Sequence, residues 1–163
     1  MIIDCKSIAQ NIKNKIKAKI TANEWYPPAL IIYQVGDNPA SNAYIRGKMR
    51  DCEEVGIYAE LVKLPESITE EELNTTITRH PRFFDTEYKH YITCGIIVQL
   101  PLPKHINPKN IHIPDVFDVD GFNVSSPYQP CTPLGVMNIF DSINYDIDGK
   151  NILVCGQSDI VGR

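Results

Sequence analysis

Isoleucines at positions 8, 12, 16 and 20 recur every fourth residue through a stretch rich in lysine. Side chains four apart share one helix face, so residues 4–20 are expected to form an amphipathic helix, with Asp4 as its cap. Two prolines then precede an apolar, β-branched run that predicts a buried strand over 29–35. After the turn "GDNPAS", Pro39 suits a helix start, and the pattern predicts a helix from about 40 to 55, closed by Gly56. "IYAELVKL" reads as a second strand. Thr69 and Glu72 stand in capping-box spacing at the head of a helix reaching His80. "CGIIVQL" predicts a third buried strand, closed by "PLP". Residues 104–131 are rich in Pro, Asn and Asp and are expected to be irregular. Residues 134–144 predict a further helix, and "DGKNILVCGQSDIVGR" a turn, a strand and the opening of a glycine loop.

The alternation of helix and strand predicts an α/β fold, a three-layer αβα arrangement around a mainly parallel sheet. The strand and glycine turn after residue 146 look like the first strand of an incomplete Rossmann domain, because a strand leading into such a turn commonly opens a dinucleotide-binding unit. The chain is 43% hydrophobic and 22% charged, and its formal charge of -4 is spread thinly. No basic block suggests nucleic acid or an anionic membrane as partner. The five cysteines (5, 52, 94, 131 and 155) are odd in number and none forms a CxxC pair, so neither a metal site nor a disulfide framework is expected. Cys52, Cys94 and Cys155 fall in apolar segments and are expected in the core. "MIIDCKSIAQ" lacks a signal-peptide pattern and no segment is long enough to cross a bilayer, which points to a reducing cytosol.

Four places carry candidate chemistry. Tyr44 and Lys48 lie one helical turn apart on one face. They read either as a half-buried tyrosine beside a lysine with its amine in water, or as a phenol and an amine able to exchange protons in a cleft. Gln99 stands near the C-terminal end of a strand otherwise made of Ile, Val and Leu, the sheet edge where α/β proteins bind ligands, and reads either as a polar strand end facing water or as an amide reaching a ligand or a neighbouring lysine. Asp120, in "DVDGF", reads either as a turn residue or as an acceptor for the N–H groups of a heterocycle. The turn "GQSDIVG" at 156–162 could bring its backbone to a phosphate, though the spacing is not GxGxxG.

Five stretches occur in a characteristic order: "VGDNPASNAYIRGKMRDCEEVGI" (35–57), "GIIVQLPLPKHI" (95–106), "DVDGFN" (118–123), "PCTPLGVM" (130–137) and "VCGQSDIVGR" (154–163). Together they resemble the bifunctional methylenetetrahydrofolate dehydrogenase/methenyltetrahydrofolate cyclohydrolases. The resemblance implies a folate-binding catalytic domain over 1–131. Over 132–163 it implies a connecting helix and the start of an NAD(P)-binding Rossmann domain. Lys48 would be the catalytic lysine of a Tyr-x-x-x-Lys motif, and Tyr44 would stack on or bond the folate. Gln99 would contact and tune the lysine, and Asp120 would hold the pterin. Gly156, Gln157, Ser158 and Ile160 would meet NADP or NAD. The implied activities belong to one-carbon metabolism. One is oxidation of 5,10-methylenetetrahydrofolate, the other hydrolysis of 5,10-methenyltetrahydrofolate to 10-formyltetrahydrofolate, in a cytoplasmic homodimer.

The sequence departs from the family in places. Phe117 precedes "DVDG" where the family usually has lysine, and Gln157 follows Gly156 where arginine is common. The segments flanking "DVDG" look shorter than usual. Family members extend beyond this point, so the chain is expected to be part of a longer enzyme and inactive as a dehydrogenase by itself. The alternative is a folate-binding or subunit-pairing module without turnover.

Overall fold

The computed structural model describes residues 2–22, 28–79, 83–85, 90–92 and 94–156. Helix α1 (Cys5–Ala22) is capped by Asp4, whose carboxylate accepts from the Ser7 amide and hydroxyl at 3.1 and 2.7 Å. Strand β1 (Ala29–Val35) is followed by helix α2 (Pro39–Val55). Asn38 caps α2 by accepting from the Ala40 and Ser41 amides, Pro39 takes the first helical position, and Gly56 ends the helix at φ +88°. Strand β2 (Tyr58–Leu64) leads to helix α3 (Glu70–Arg79). The capping box forms as expected: Glu72 accepts from the Thr69 amide at 2.9 Å, and the Thr69 hydroxyl accepts from the Glu72 amide at 3.2 Å. Two short strands, β3 (Phe83–Asp85) and β4 (His90–Ile92), pair antiparallel. They escape the sequence reading because three residues are too few to show an alternation. Strand β5 (Cys94–Val98) completes the main sheet, and α4 (Cys131–Ser142) follows an irregular stretch holding two single turns of 3-10 helix.

The sheet has the order β2-β1-β5 and is parallel throughout. Alternation along β1 divides the core into two layers. Ile31, Tyr33 and Val35 face α3 with Ile96 and Val98, and Leu73, Ile77, Ile106, Ile111 and Ile113 cover them. Ile32 faces α2 with Ile97, against Ile45, Met49 and Val119. This is the expected three-layer αβα arrangement. Lys13 ties α1 to α2 through Glu54 and Asp51. Glu54 pulls the Lys13 amine above its usual range, and Lys13 holds the Glu54 carboxyl below its own.

Residues 151–156 depart from expectation. They form no strand, and Ile152, Leu153 and Val154 are exposed, Leu153 to 86%. A β-rich run makes a strand only where a neighbour supplies ladder hydrogen bonds, and no described strand pairs with it. Cys155 is accordingly exposed rather than in the core, while Cys52 is buried as expected. The Cys94 side chain lies outside the described residues. Among the described residues, no helix is long and apolar enough to cross a membrane.

Candidate active site

The C-terminal ends of β1 and β5, the middle of α2 and the turn at 118–123 converge on one side of the sheet. Strand alternation puts Gln99 on the same face as Gly95 and Ile97, the face that α2 covers. Its backbone N–H donates to Tyr33 at 2.9 Å, which extends the β1–β5 ladder one residue past the strand end. Its side-chain amide donates to the Leu100 carbonyl at 2.8 Å. Gln99 Oε1 is buried and, among the described residues, has no hydrogen-bond partner.

On α2, Ser41, Ile45 and Cys52 are buried and hold the helix to the sheet. Tyr44 is 71% exposed. Its ring therefore stands in the open, which removes the reading of a half-packed tyrosine. Lys48 is half-buried and, among the described residues, makes neither a hydrogen bond nor an ion pair.

The turn at 118–123 is held by a residue that sequence reasoning passed over. Asp118 is fully buried, and its carboxylate accepts from the Phe122 and Asn123 amides at 2.9 and 2.8 Å. Its own carbonyl accepts from the Ser126 hydroxyl at 2.8 Å. Gly95 lets this turn sit against β5, since a Cβ there would lie 2.8 Å from Val119. Phe117 packs against the α3-side core.

Electrostatics bring three of these groups together. The Cys131 thiol, at the start of α4, is raised to about 11, first by desolvation and then by the charge and hydrogen bonding of Asp120, with Lys48 pulling the other way. Lys48 also opposes the upward shift of Cys52, which burial causes. Lys48, Asp120 and Cys131 thus share one neighbourhood. Cys131 was not among the sequence candidates, although it lies in the "PCTP" stretch. Tyr44 shares the α2 face, but no hydrogen bond joins it, or Gln99, to Lys48. Two hollows, of about 630 and 560 Å³, lie along α3 and hold none of these residues.

Removing the Asp120 charge should lower the Cys131 thiol. At pH 8.5 a thiol near 11 is ionised to only a few tenths of a per cent. Asp120→Asn is therefore expected to speed alkylation of Cys131 several-fold, followed by peptide mass mapping, with exposed Cys5 as internal reference. An unchanged rate would separate Asp120 from the thiol.

Of the expected nucleotide contacts, Gly156 alone is described; Gln157, Ser158 and Ile160 lie outside the described residues. Gly156 has φ +145°, and among the described residues a Cβ there would meet nothing within 4 Å.

Residues 3–120 match the family described as tetrahydrofolate dehydrogenase/cyclohydrolase, catalytic domain, and residues 130–163 match its NAD(P)-binding domain. The bifunctional protein FolD of Bacillus mycoides is 40% identical over 176 aligned positions, which take in 100% of this chain and 59% of that protein. The solved structure of the bifunctional enzyme FolD from Campylobacter jejuni superposes with a TM-score of 0.84 at 35% identity, covering 98% of this chain and 59% of that one. The Trypanosoma brucei methylenetetrahydrofolate dehydrogenase-cyclohydrolase, solved with NADP cofactor and inhibitor, gives a TM-score of 0.80 at 27% identity, covering 99% and 58%. The chain therefore spans about three fifths of the length of these relatives.

Proposed function

The chain belongs to the tetrahydrofolate dehydrogenase/cyclohydrolase family, and from that premise we propose that it carries the folate site of a bifunctional enzyme of one-carbon metabolism. Residues 1–131 form the folate-binding catalytic domain. Residues 132–163 form the connecting helix and the start of the NAD(P)-binding domain. The two reactions are oxidation of 5,10-methylenetetrahydrofolate to 5,10-methenyltetrahydrofolate and hydrolysis of the latter to 10-formyltetrahydrofolate. The enzyme acts in the cytoplasm as a homodimer.

The observation that carries this reading is that Lys48 and Asp120 both act on the Cys131 thiol, while at the end of β5 the buried Gln99 oxygen lacks a donor among the described residues. In α/β sheets the C-terminal edge is where ligands bind. Asp120 accepts from the N–H groups of the pterin, a task an acceptor-only carboxylate suits. Tyr44, already exposed, offers its ring to the flat folate. Water adds to the cationic methenyl carbon, and the adduct opens once protons have moved between oxygen and nitrogen. Lys48 takes and returns those protons as general base and acid. Among the described residues it makes no ion pair, which leaves the amine available for that exchange. A bound NADP or NAD supplies a hydride acceptor, and Gly156, Gln157, Ser158 and Ile160 would hold its phosphates.

The full-length gene product should convert 5,10-methenyltetrahydrofolate faster than buffer does, seen as loss of the methenyl absorbance. It should also reduce NADP or NAD in the presence of 5,10-methylenetetrahydrofolate. Binding of folate with neither conversion would instead favour a module without turnover.

A further inference from the structure

The Leu100 carbonyl is a junction between α2 and the end of β5. Ser41 is 3% exposed, and its hydroxyl donates to that oxygen at 3.3 Å. The Gln99 side chain donates to the same oxygen at 2.8 Å. A carbonyl oxygen only accepts, and it has two lone pairs, so it serves both donors. It also decides which end of the Gln99 amide faces it. The nitrogen must face Leu100, and Oε1 faces elsewhere, buried and without a donor among the described residues.

The Ser41 hydroxyl is not needed to cap its own helix. Asn38 already accepts from the amides of Ala40 and Ser41 at 2.9 and 3.2 Å. The hydroxyl instead reaches a carbonyl 59 residues along the chain. Ser41 also lies seven residues before Lys48, two turns away on the same side of the helix. One contact therefore couples the helix that carries the lysine to the strand end that carries the glutamine.

We propose that Ser41 is a positioning residue: through the Leu100 carbonyl it keeps the Gln99 amide nitrogen engaged and its oxygen free as an acceptor for an N–H group in the cleft. The role in turnover rests on the folate reading above; the clamp itself does not. Buried polar groups held in this way fix a side chain more tightly than packing alone.

The test uses the full-length gene product and two readouts. The first needs no folate. Solvent exchange of the Gln99 side-chain amide, followed by nitrogen-15 NMR, should be slow in the wild type and at least severalfold faster in Ser41→Ala. The second is turnover of 5,10-methenyltetrahydrofolate. Ser41→Ala should lower kcat by roughly tenfold with KM little changed, since a small misplacement near reacting groups costs rate. In a Gln99→Ala background the same change should cost less than twofold. Ser41→Cys, nearly equal in size and a weaker donor, should fold like the wild type and show the exchange effect in reduced form. Unchanged exchange in both variants would overturn the proposal, as would an equal loss of turnover with and without Gln99. Faster exchange in a protein that neither binds nor converts folate would support the clamp and remove the folate reading.

Discussion

Replacing Lys48 by methionine is expected to abolish hydrolysis of 5,10-methenyltetrahydrofolate and to leave the fold intact. The two side chains have similar length, and volume-conserving changes disturb packing little. Lys48 is half-buried and makes no ion pair among the described residues, so no carboxylate is stranded by its removal. What is lost is the group that carries protons. General acid–base catalysis contributes about 10²–10⁴-fold, and a fall in kcat of that size is expected in the full-length gene product, with an unchanged circular dichroism spectrum. Hydrolysis at the wild-type rate would take Lys48 out of the mechanism.

The second large effect is expected at Gly121, one residue after Asp120. Its φ is +66°, which costs an L side chain about 1–2 kcal/mol. A Cβ there would lie 2.8 Å from the Pro130 nitrogen and 3.0 Å from the Tyr128 carbonyl oxygen. Both obstacles are backbone, so neither can swing aside, and crowding of this kind adds about 1–3 kcal/mol. Gly121→Ala should lower the melting temperature by on the order of 10 °C. It should also weaken folate binding, because relief requires the turn that carries Asp120 to move away from residues 128–130. Gly135→Ala provides the contrast. That glycine lies within α4 with nothing within 4 Å of a Cβ among the described residues, so alanine should be neutral or stabilising by up to about 1 kcal/mol. Equal melting temperatures for the two variants would refute the close packing of the turn.

These two cases show where sequence patterns carry structural information. Helices α2 and α3 were legible because their ends are written locally: Asn38, Pro39 and Gly56 around one, Thr69 and Glu72 at the head of the other. Strands β1 and β5 were legible because strands buried on both faces are continuous apolar runs. The run at 151–155 has the same composition, but a strand needs a partner, and partnership is not written in the segment. In the candidate site, Tyr44 and Lys48 announce themselves by helical spacing and Gln99 by standing alone at an apolar strand end. Asp118 and Ser41 do not. Each looks like an ordinary turn or first-turn residue, and only burial, with bonds to Phe122 and Asn123 or to Leu100, gives it a part in the site. Cys131 joins the site for the same reason, through a proximity to Asp120 and Lys48 that exists only in the folded chain.

The central claim is that Asp120 and its neighbours form a folate site, and calorimetric titration of 5-formyltetrahydrofolate into the full-length gene product tests it most directly. The wild type should bind one folate per chain. Asp120→Asn should bind at least about tenfold more weakly, because hydrogen bonds to a charged group contribute about 1.5–3 kcal/mol and an amide turns half of the acceptor into a donor. Melting temperatures of the two proteins should agree, since Asp118 rather than Asp120 holds the turn. Equal affinity in wild type and variant, or no binding by the wild type, would contradict the account.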